Sequence, residues 1–233
     1  MVVDFHSHIL PRIDDGSASV EESMAMLHAS VDQGVTGVIL TPHFYPNRNT
    51  PERFLEDRMY SAELLAQQIR PGMGLPELRL GAEVHYFPQM SQSDALERFA
   101  IEGTRSVLIE MPMGTWTDRM YRELEGIHNN LGLLPIVAHV DRYLGRFRDF
   151  GIPEALSQLP VLVQANASFL LEGNRGLKML KYRQIHLLGS DSHNMRTRKP
   201  NLGPAVERIR EKLGDESIRW IRRNTSIALG LHE

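Results

Sequence analysis

Residues 1–8 have the sequence MVVDFHSH, in which an apolar start is followed at once by His6 and His8. In a β-strand, residues two positions apart point to the same face of the sheet. A strand that ends in this pair therefore presents two imidazole nitrogens in one direction, which is how proteins hold a metal ion. The alternative is a pair of exposed histidines in a frayed N-terminus, and this stretch alone does not decide between the two.

Six further short apolar segments, rich in β-branched residues or leucine, recur along the chain with helical patterns between them. They cover residues 36–41, 78–84, 105–111, 133–140, 160–166 and 185–191. Strands that alternate with helices predict a parallel sheet, and nearly continuous apolar strands indicate that both faces are covered. We therefore predict an α/β fold with seven strands in a parallel sheet, open or closed, with a barrel as the first choice, and we expect one domain over residues 1–233.

The segments between the strands carry helix boundaries. Ser19 and Glu22 have the capping-box spacing before a segment that stops at Gly34, and Thr50 with Pro51 predicts the start of a second helix. Further helices are predicted at residues 117–132 and 215–230, with weaker candidates at 151–159, 173–183 and 203–213.

Composition excludes several classes of function. The chain has no cysteine, which removes disulfides, zinc–thiolate sites and a cysteine nucleophile. A net charge of −3 gives no basic footprint for nucleic acid. Neither a signal peptide nor an apolar run long enough to cross a bilayer is visible. We expect a cytoplasmic protein that neither binds nucleic acid nor inserts into a membrane, and the oligomeric state stays open.

Polar residues stand at the carboxyl end of every predicted strand. Such groups cost desolvation energy unless something pairs with them, and a metal cluster would pair with several at once. At any single position a helix cap or an exposed loop residue is the commoner outcome, but seven strand ends together favour a site. His85 shares the face of Glu83 and is interpreted as a supporting residue. In strand order the polar residues are His6 and His8, His43, Glu83, Glu110, His139, Gln164 with Asn166, and Asp191 with His193.

With Asp14 from the loop after the first strand, nine residues are candidate ligands: His6, His8, Asp14, His43, Glu83, Glu110, His139, Asp191 and His193. A mixed imidazole and carboxylate set suits Mn, Fe or Zn. One structural ion needs four ligands, so nine indicate two or three ions, with a carboxylate such as Glu83 as a bridge. Ions ~3.5–4 Å apart can share a hydroxide that attacks phosphorus, so we predict hydrolysis of a phosphate ester.

Two arginines lie just beyond ligand candidates, Arg142 after His139 and Arg198 after Asp191. Arginine makes paired hydrogen bonds to phosphate oxygens and keeps its charge, so both are candidate catalytic residues that bind the phosphoryl group. Exposed arginines without such a role are commoner. The neighbouring Arg196 and Lys199 are alternatives to Arg198, and the sequence does not separate them.

These motifs together resemble a known family. The stretch DFHSHILPRIDDGS at residues 4–17, followed in order by TPHF, GAEV, LIE, AHVDRY, QANASFL and GSDSHN with a later arginine, is similar to the bacterial PHP-domain metal-dependent protein-tyrosine phosphatases of capsule and exopolysaccharide loci. The likeness runs from residue 2 to about residue 230. One departure is AHVDRY where the family often has AHPERY, which leaves His139 and Arg142 in place.

The resemblance implies a distorted (β/α)7 barrel with three metal ions, usually Mn, at the carboxyl ends of the strands. Arg142 and Arg198 match the family's phosphate-binding arginines, and Asn166 stands within one of the family's sequence blocks. The implied substrate is phosphotyrosine on a tyrosine autokinase that controls polysaccharide export. The implied ligand sets are His6, His8, Glu83 and Asp191 for the first ion, Glu83, Glu110 and His139 for the second, and Asp14, His43 and His193 for the third.

Two other functions compete with this hypothesis. The same metals and arginines would serve a phosphoesterase that acts on a small phosphate monoester such as histidinol phosphate. A binding module that keeps its metals only for structure is the non-enzymatic alternative, although such a module has no need for two phosphate-binding arginines.

Overall fold

The computed structural model describes residues 1–145 and 151–231. Nine strands are present in this part of the chain: β1 Val3–Ser7, β2 Gly37–Leu40, β3 His43–Phe44, β4 Glu77–Leu80, β5 Glu83–His85, β6 Ser106–Glu110, β7 Leu134–Val137, β8 Leu162–Asn166 and β9 Leu187–Gly189. The helices are α1 Val20–Asp32, α2 Pro51–Ala66, α3 Ala95–Arg98, α4 Asp118–Leu131, α5 Ile152–Leu156, α6 Ala167–Leu171, α7 Arg175–Lys181, α8 Leu202–Leu213 and α9 Asp215–Ala228.

All strand pairings are parallel, and the strands of each sheet are arranged in the order in which they occur along the chain. β1 pairs with β2 and β2 with β4, while β3 pairs with β5, which is followed by β6, β7, β8 and β9. Because β3 continues β2 and β5 continues β4, the nine strands occupy seven positions around the barrel, and we call each position a stave. The predicted α/β barrel is therefore confirmed.

The barrel closes between the first and last staves. Ser192, just beyond β9, bridges Ser7 of β1, and the His8 N–H donates to the Ser192 carbonyl at 2.9 Å. Asp4 supports this seam, because its Oδ1 accepts the backbone N–H groups of Ser190 at 2.8 Å and of His6 at 3.2 Å. Burial raises the pKa of Asp4 to about 6 despite these hydrogen bonds.

The predicted strands at 36–41 and 78–84 are each interrupted in the structure. Pro42 has no N–H to donate, and β2 stops before it, while β4 stops before Gly81. Hydrogen bonds from Gly81 N–H to the Leu40 carbonyl (2.9 Å) and from Glu83 N–H to the Pro42 carbonyl (3.0 Å) connect the halves. The two breaks therefore redirect the chain before His43 and Glu83, while the neighbouring staves stay hydrogen-bonded.

Helix boundaries follow the predicted capping. Ser19 accepts the Glu22 N–H and Thr50 accepts the Arg53 N–H, with Pro51 as the first helical residue of α2. α4 ends at Gly132, whose φ of 61° is a left-handed conformation that glycine adopts without strain. The short helices α3 and α6 were not predicted, because four or five residues are too few to show a 3.6-residue period.

Two apolar clusters hold the fold together. The larger one packs the helices against the sheet and includes Val38, Val107 and Val163, while the smaller one includes Leu108 and Leu162. Since side chains alternate along a strand, Leu108 shares its face with Glu110. Polar groups on this face therefore rest on an apolar layer. Among the described residues, the helices are too short or too polar to cross a membrane.

His186 makes stability depend on pH. Its Nδ1 accepts the Val163 N–H at 3.1 Å, its ring lies 5.5 Å from that of Trp220, and burial lowers the pKa of His186 to about 4. An unfolded histidine titrates near pH 6.5, so the unfolded chain binds a proton first as the pH falls. The stability from neutral His186 is complete above about pH 6.5 and is lost between about pH 6.5 and 4.

We predict that His186→Asn, whose amide oxygen can replace Nδ1 as acceptor, reduces the loss of unfolding free energy between pH 7.5 and 5 by roughly 1–2 kcal/mol. Urea unfolding in chelator, beside the exposed His28→Asn as control, measures the difference. Equal pH dependence in wild type and His186→Asn would contradict this role for His186.

Candidate metal centre

The polar residues from the strand ends converge at one end of the barrel. His6, His8 and His139 are fully buried, Glu83 is 1% exposed, and His193 is 2% exposed. His43, Glu110 and Asp191 belong to the same network of ion pairs. Eight of the nine predicted ligands thus share one site, and Asp14 lies against it in a different role.

Four ligand atoms enclose a space of the size of a metal ion. His6 Nε2 and His8 Nε2 are 3.1 Å apart, and they lie 3.2 and 3.3 Å from Glu83 Oε2. The same two nitrogens lie 3.6 and 3.5 Å from Asp191 Oδ1. Ligand atoms about 2.1 Å from a tetrahedral ion lie ~3.4 Å from one another. The two nitrogens have about this spacing from one another and from each carboxylate oxygen, and we name His6, His8, Glu83 and Asp191 the first group.

Glu83 connects the first group to a second one. Its Oε2 faces the first group, while its Oε1 lies 2.7 Å from His139 Nε2. That nitrogen is also 3.6 Å from Glu110 Oε1. Glu83, Glu110 and His139 form the second group, and Glu83 is placed as a bridge between the two.

The third group contains Asp15 where the sequence predicted Asp14. Asp15 Oδ1 lies 3.5 Å from His43 Nε2 and 3.6 Å from His193 Nε2. The His193 ring also packs against that of His8, with centroids 3.9 Å apart. Asp15 is 68% exposed, so its carboxylate reaches the group from the solvent side.

Asp14 points the other way and supports the ligands. Its Oδ2 accepts from His8 Nδ1 at 2.8 Å and from the His43 N–H at 3.0 Å, and its Oδ1 accepts the Gly16 N–H at 2.9 Å. Hydrogen bonds to His8, His43 and Gly16 hold the pKa of Asp14 well below its usual range although burial opposes this. A carboxylate only accepts, so His8 Nδ1 donates and Nε2 is the atom that faces the first group.

The donor set fits divalent metal ions. Among the described residues, Glu83 Oε2 and His193 Nε2 are buried without a hydrogen bond of acceptable geometry, although nitrogens surround that oxygen. Unsatisfied buried groups of this kind are costly in a protein interior. Burial opposes a charge on His8, yet Asp14, Asp191 and Glu83 raise its pKa well above the usual value. The site thus favours positive charge, and imidazole with carboxylate suits Mn, Fe or Zn.

The backbone is strained at two of these residues. His139 has φ of 31° and Asp191 has φ of 51°, both in the left-handed region that non-glycine residues seldom adopt. Such conformations cost about 1–3 kcal/mol and persist only where the surroundings hold them. Both lie two residues after the end of a strand, at the point where the chain turns its side chain into the site.

Both predicted arginines meet Asp191. Arg142 donates through Nη2 to Asp191 Oδ2, with its Nη1 3.9 Å from Glu110 Oε1. Arg198 Nη2 lies 2.7 Å from Asp191 Oδ1, while Arg196 and Lys199 are exposed. The structure therefore distinguishes Arg198 from its two neighbours by its contact with the site.

Asn194 shapes the loop that carries Arg198. Its Oδ1 accepts the N–H groups of Arg196, Thr197 and Arg198 at 2.9, 2.8 and 3.2 Å. The His193 N–H also donates to the Arg198 carbonyl at 2.9 Å. Three hydrogen bonds to one oxygen hold a tight turn that directs Arg198 back toward the ligands.

Aromatic and imidazole side chains line the edge of the site. The Tyr45 ring stacks on His43 with centroids 4.9 Å apart, and the Arg48 guanidinium lies 4.7 Å above the Tyr45 ring. Burial and the nearby Glu110, Glu83 and Asp15 raise the pKa of Tyr45 to about 12. His85 Nδ1 is 3.0 Å from Glu110 Oε2, as expected of a residue that supports a ligand.

Asp15 is the one member of the third group that the sequence analysis did not select. Two adjacent aspartates precede Gly16, and only the geometry of the turn shows which of them faces the histidines. A side chain at Gly16 would place its Cβ 2.2 Å from the His8 carbonyl oxygen, so this turn packs directly on the end of β1. That close approach holds Asp14 next to His8 and leaves Asp15 to reach the third group.

The chain is similar to known proteins over almost its full length. The family model for capsular polysaccharide synthesis, CpsB/CapC, matches residues 2–229. Tyrosine-protein phosphatase CpsB of Streptococcus pneumoniae is 29% identical over 91% of this chain and 91% of its own length. Tyrosine-protein phosphatase YwqE of Bacillus subtilis strain 168 is 29% identical over 98% of this chain and 91% of its own length.

Solved structures share the fold. One from work on YwqE of Bacillus subtilis and CpsB of Streptococcus pneumoniae, described as metal-dependent tyrosine phosphatases, superposes with a TM-score of 0.82. It is 22% identical in sequence, and the match covers 100% of this chain and 96% of the other. This likeness shows that the two chains have the same barrel.

The two aspartates of the turn should have separable effects. We predict that Asp15→Ala lowers the number of metal ions per chain with little change in the free energy of unfolding, because its side chain is largely exposed. Asp14→Ala removes the acceptor of three hydrogen bonds and should cost about 1–3 kcal/mol of stability.

Elemental analysis and urea unfolding in chelator, with the exposed Asp32→Ala as control, measure both effects. A full metal complement in Asp15→Ala would show that Asp15 is not a ligand.

Proposed function

Because the chain belongs to the CpsB/CapC family of capsular polysaccharide synthesis proteins, we propose that it is a metal-dependent protein-tyrosine phosphatase. The observation that carries this proposal is Glu83, whose two oxygens face two adjacent ligand groups beside two arginines. Relatives that match most of the chain are tyrosine-protein phosphatases by name. A cysteine mechanism is excluded because the sequence has no cysteine.

We propose three metal ions, with Mn as the preferred metal and Fe or Zn as alternatives. The first group would hold one ion and the second group another, with Glu83 shared between them. Asp15, His43 and His193 would hold the third. When bound, such ions activate a water molecule and neutralise charge on the phosphoryl group.

The chain's own residues bind and orient the substrate. Arg142, in the 3-10 helix Val140–Tyr143, and Arg198, in the loop after β9, both contact Asp191, so their guanidinium groups lie beside the first group where phosphate oxygens would sit. Charge that develops on these oxygens during hydrolysis is stabilised by donors that are already in place. Tyr45 at the edge of the site offers an aromatic surface near the position of the leaving tyrosine.

We infer that the substrate is phosphotyrosine on a tyrosine autokinase of polysaccharide export, which is the partner that the family's link to capsule synthesis supports. A cytoplasmic location follows from this partner, because a kinase phosphorylates its tyrosines where ATP is present. The two alternatives are a small phosphate monoester as substrate and a metal-binding module without catalytic activity, and activity assays distinguish them from a tyrosine phosphatase.

Activity should depend on metal and on an aromatic phosphopeptide substrate. We predict that chelator-treated protein loses hydrolysis of a phosphotyrosine peptide and recovers it best with Mn²⁺, and that histidinol phosphate is hydrolysed more slowly. Released phosphate in steady-state assays, with metal content by elemental analysis, measures both.

His139→Ala should lose metal from the second group and most activity while staying folded. Full activity in metal-free protein would overturn the proposal.

Arg142 should act on the phosphate without holding metal. We predict that Arg142→Ala lowers kcat/KM by roughly a hundred- to a thousandfold, or ~3–4 kcal/mol, with metal content unchanged. Arg142→Lys should recover only part, because a point charge cannot replace the planar pair of donors.

The exposed Arg196→Ala is the matched control and should keep near-normal kcat/KM. Loss of metal from Arg142→Ala would show that this arginine supports the ligands instead, and an unchanged kcat/KM would show that it does not bind phosphate.

A further inference from the structure

We propose that Gln164 and Asn166 form a hydrogen-bonded relay that positions His6 and His139, and so sets the relative placement of the first and second groups. The inference rests on the proposed metal-ligand sets, and it adds two residues that ligate nothing themselves. Both lie on β8, two positions apart on one face of the strand, and they are 0% and 6% exposed.

The direction of every hydrogen bond in the relay is fixed, because the group at one end can only donate and the group at the other end accepts. At one end, Gln164 Oε1 lies 2.6 Å from the backbone N of His139, which can only donate. At the other end, Asn166 Nδ2 lies 3.1 Å from Asp191 Oδ2, which accepts. Between them, Gln164 Nε2 donates to Asn166 Oδ1 at 3.2 Å. The oxygen and nitrogen positions of both amides are therefore consistent with one another and with the groups at the two ends.

This polarity determines the tautomer of His6. Gln164 Oε1 also lies 3.3 Å from His6 Nδ1, and an amide oxygen only accepts, so Nδ1 carries the hydrogen. When the imidazole is neutral, its lone pair is then on Nε2, the atom that faces His8, Glu83 and Asp191. Groups that fix the tautomer and ring direction of a ligand histidine typically change metal affinity by ~10–100-fold when removed.

The same oxygen holds the strained residue of the second group. His139 has φ of 31°, and its N–H donates to Gln164 Oε1. One amide therefore fixes His6 from the side chain and His139 from the backbone. Asp141 supports the relay in turn, since its Oδ1 accepts the Asn166 N–H at 2.9 Å.

Gly189 on the neighbouring strand shows how tightly this amide is packed. A Cβ at Gly189 would lie 2.5 Å from His6 Cβ and 2.7 Å from Gln164 Nε2. A side chain at this position would therefore displace both His6 and Gln164. The close approach of β9 keeps the amide in the one position from which it reaches both ligands.

The test compares two substitutions of Gln164. Gln164→Met keeps the size of the side chain but removes the acceptor, and Mn²⁺ affinity should fall ~10–100-fold. Gln164→Glu keeps the acceptor for His6 and His139 but loses the donor to Asn166 Oδ1, so it should recover part of that loss. The exposed Gln158→Met is the matched control. Affinity is measured by Mn²⁺ titration and folding by urea unfolding in chelator, which separates weaker metal binding from a loss of stability.

A direct readout uses the wild-type protein loaded with Zn²⁺, which is diamagnetic. Long-range proton–nitrogen correlations should show His6 protonated at Nδ1, with slow exchange of that proton. Protonation of His6 at Nε2, or equal Mn²⁺ affinity for wild type and Gln164→Met, would overturn the relay. Because neither measurement uses phosphatase activity, the relay can fail while the proposed function stands, and the reverse also holds.

Discussion

The rest of the site depends on the burial of one carboxylate, that of Glu83. It is the first residue of β5, where burial alone would raise its pKa, yet His6, His139 and His43 hold that pKa well below its usual range. These histidines come from three other staves. A buried charge is stable only if its partners are well placed, so the strand ends must keep their spacing for Glu83 to remain ionised.

This requirement explains where the barrel departs from regular geometry. The breaks at Pro42 and Gly81 let the chain redirect before His43 and Glu83, while hydrogen bonds across the breaks keep the staves paired. His139 and Asp191 turn into the site with positive φ, and each is held by a hydrogen bond from its N–H, to Gln164 Oε1 and to the His6 carbonyl. The irregularities thus occur at the proposed ligands, where strain is compensated by specific contacts.

The sequence predicted what depends on local pattern. Capping residues such as Ser19 and Thr50, and the apolar period of the strands, are local signals, and the structure agrees with them. Parallel topology then implied that the strand ends meet, which brought eight of the nine predicted ligands together. The choice between Asp14 and Asp15 depends on how their turn packs on His8, whose carbonyl oxygen would lie 2.2 Å from a Cβ at Gly16. Neither composition nor spacing encodes that contact.

The charges of the site link metal binding to phosphate binding. Glu83, Glu110, Asp191 and Asp15 carry four negative charges when ionised, and Arg142 and Arg198 carry two positive ones. Both arginines are paired with Asp191, so their charges are engaged with a carboxylate of the site. Divalent ions held by these residues would add positive charge and would compete with the arginines for Asp191. Asp191 Oδ1 lies 3.6 and 3.5 Å from His6 and His8, and the same carboxylate contacts both arginines, so it links the metal-binding and phosphate-binding halves of the proposed site.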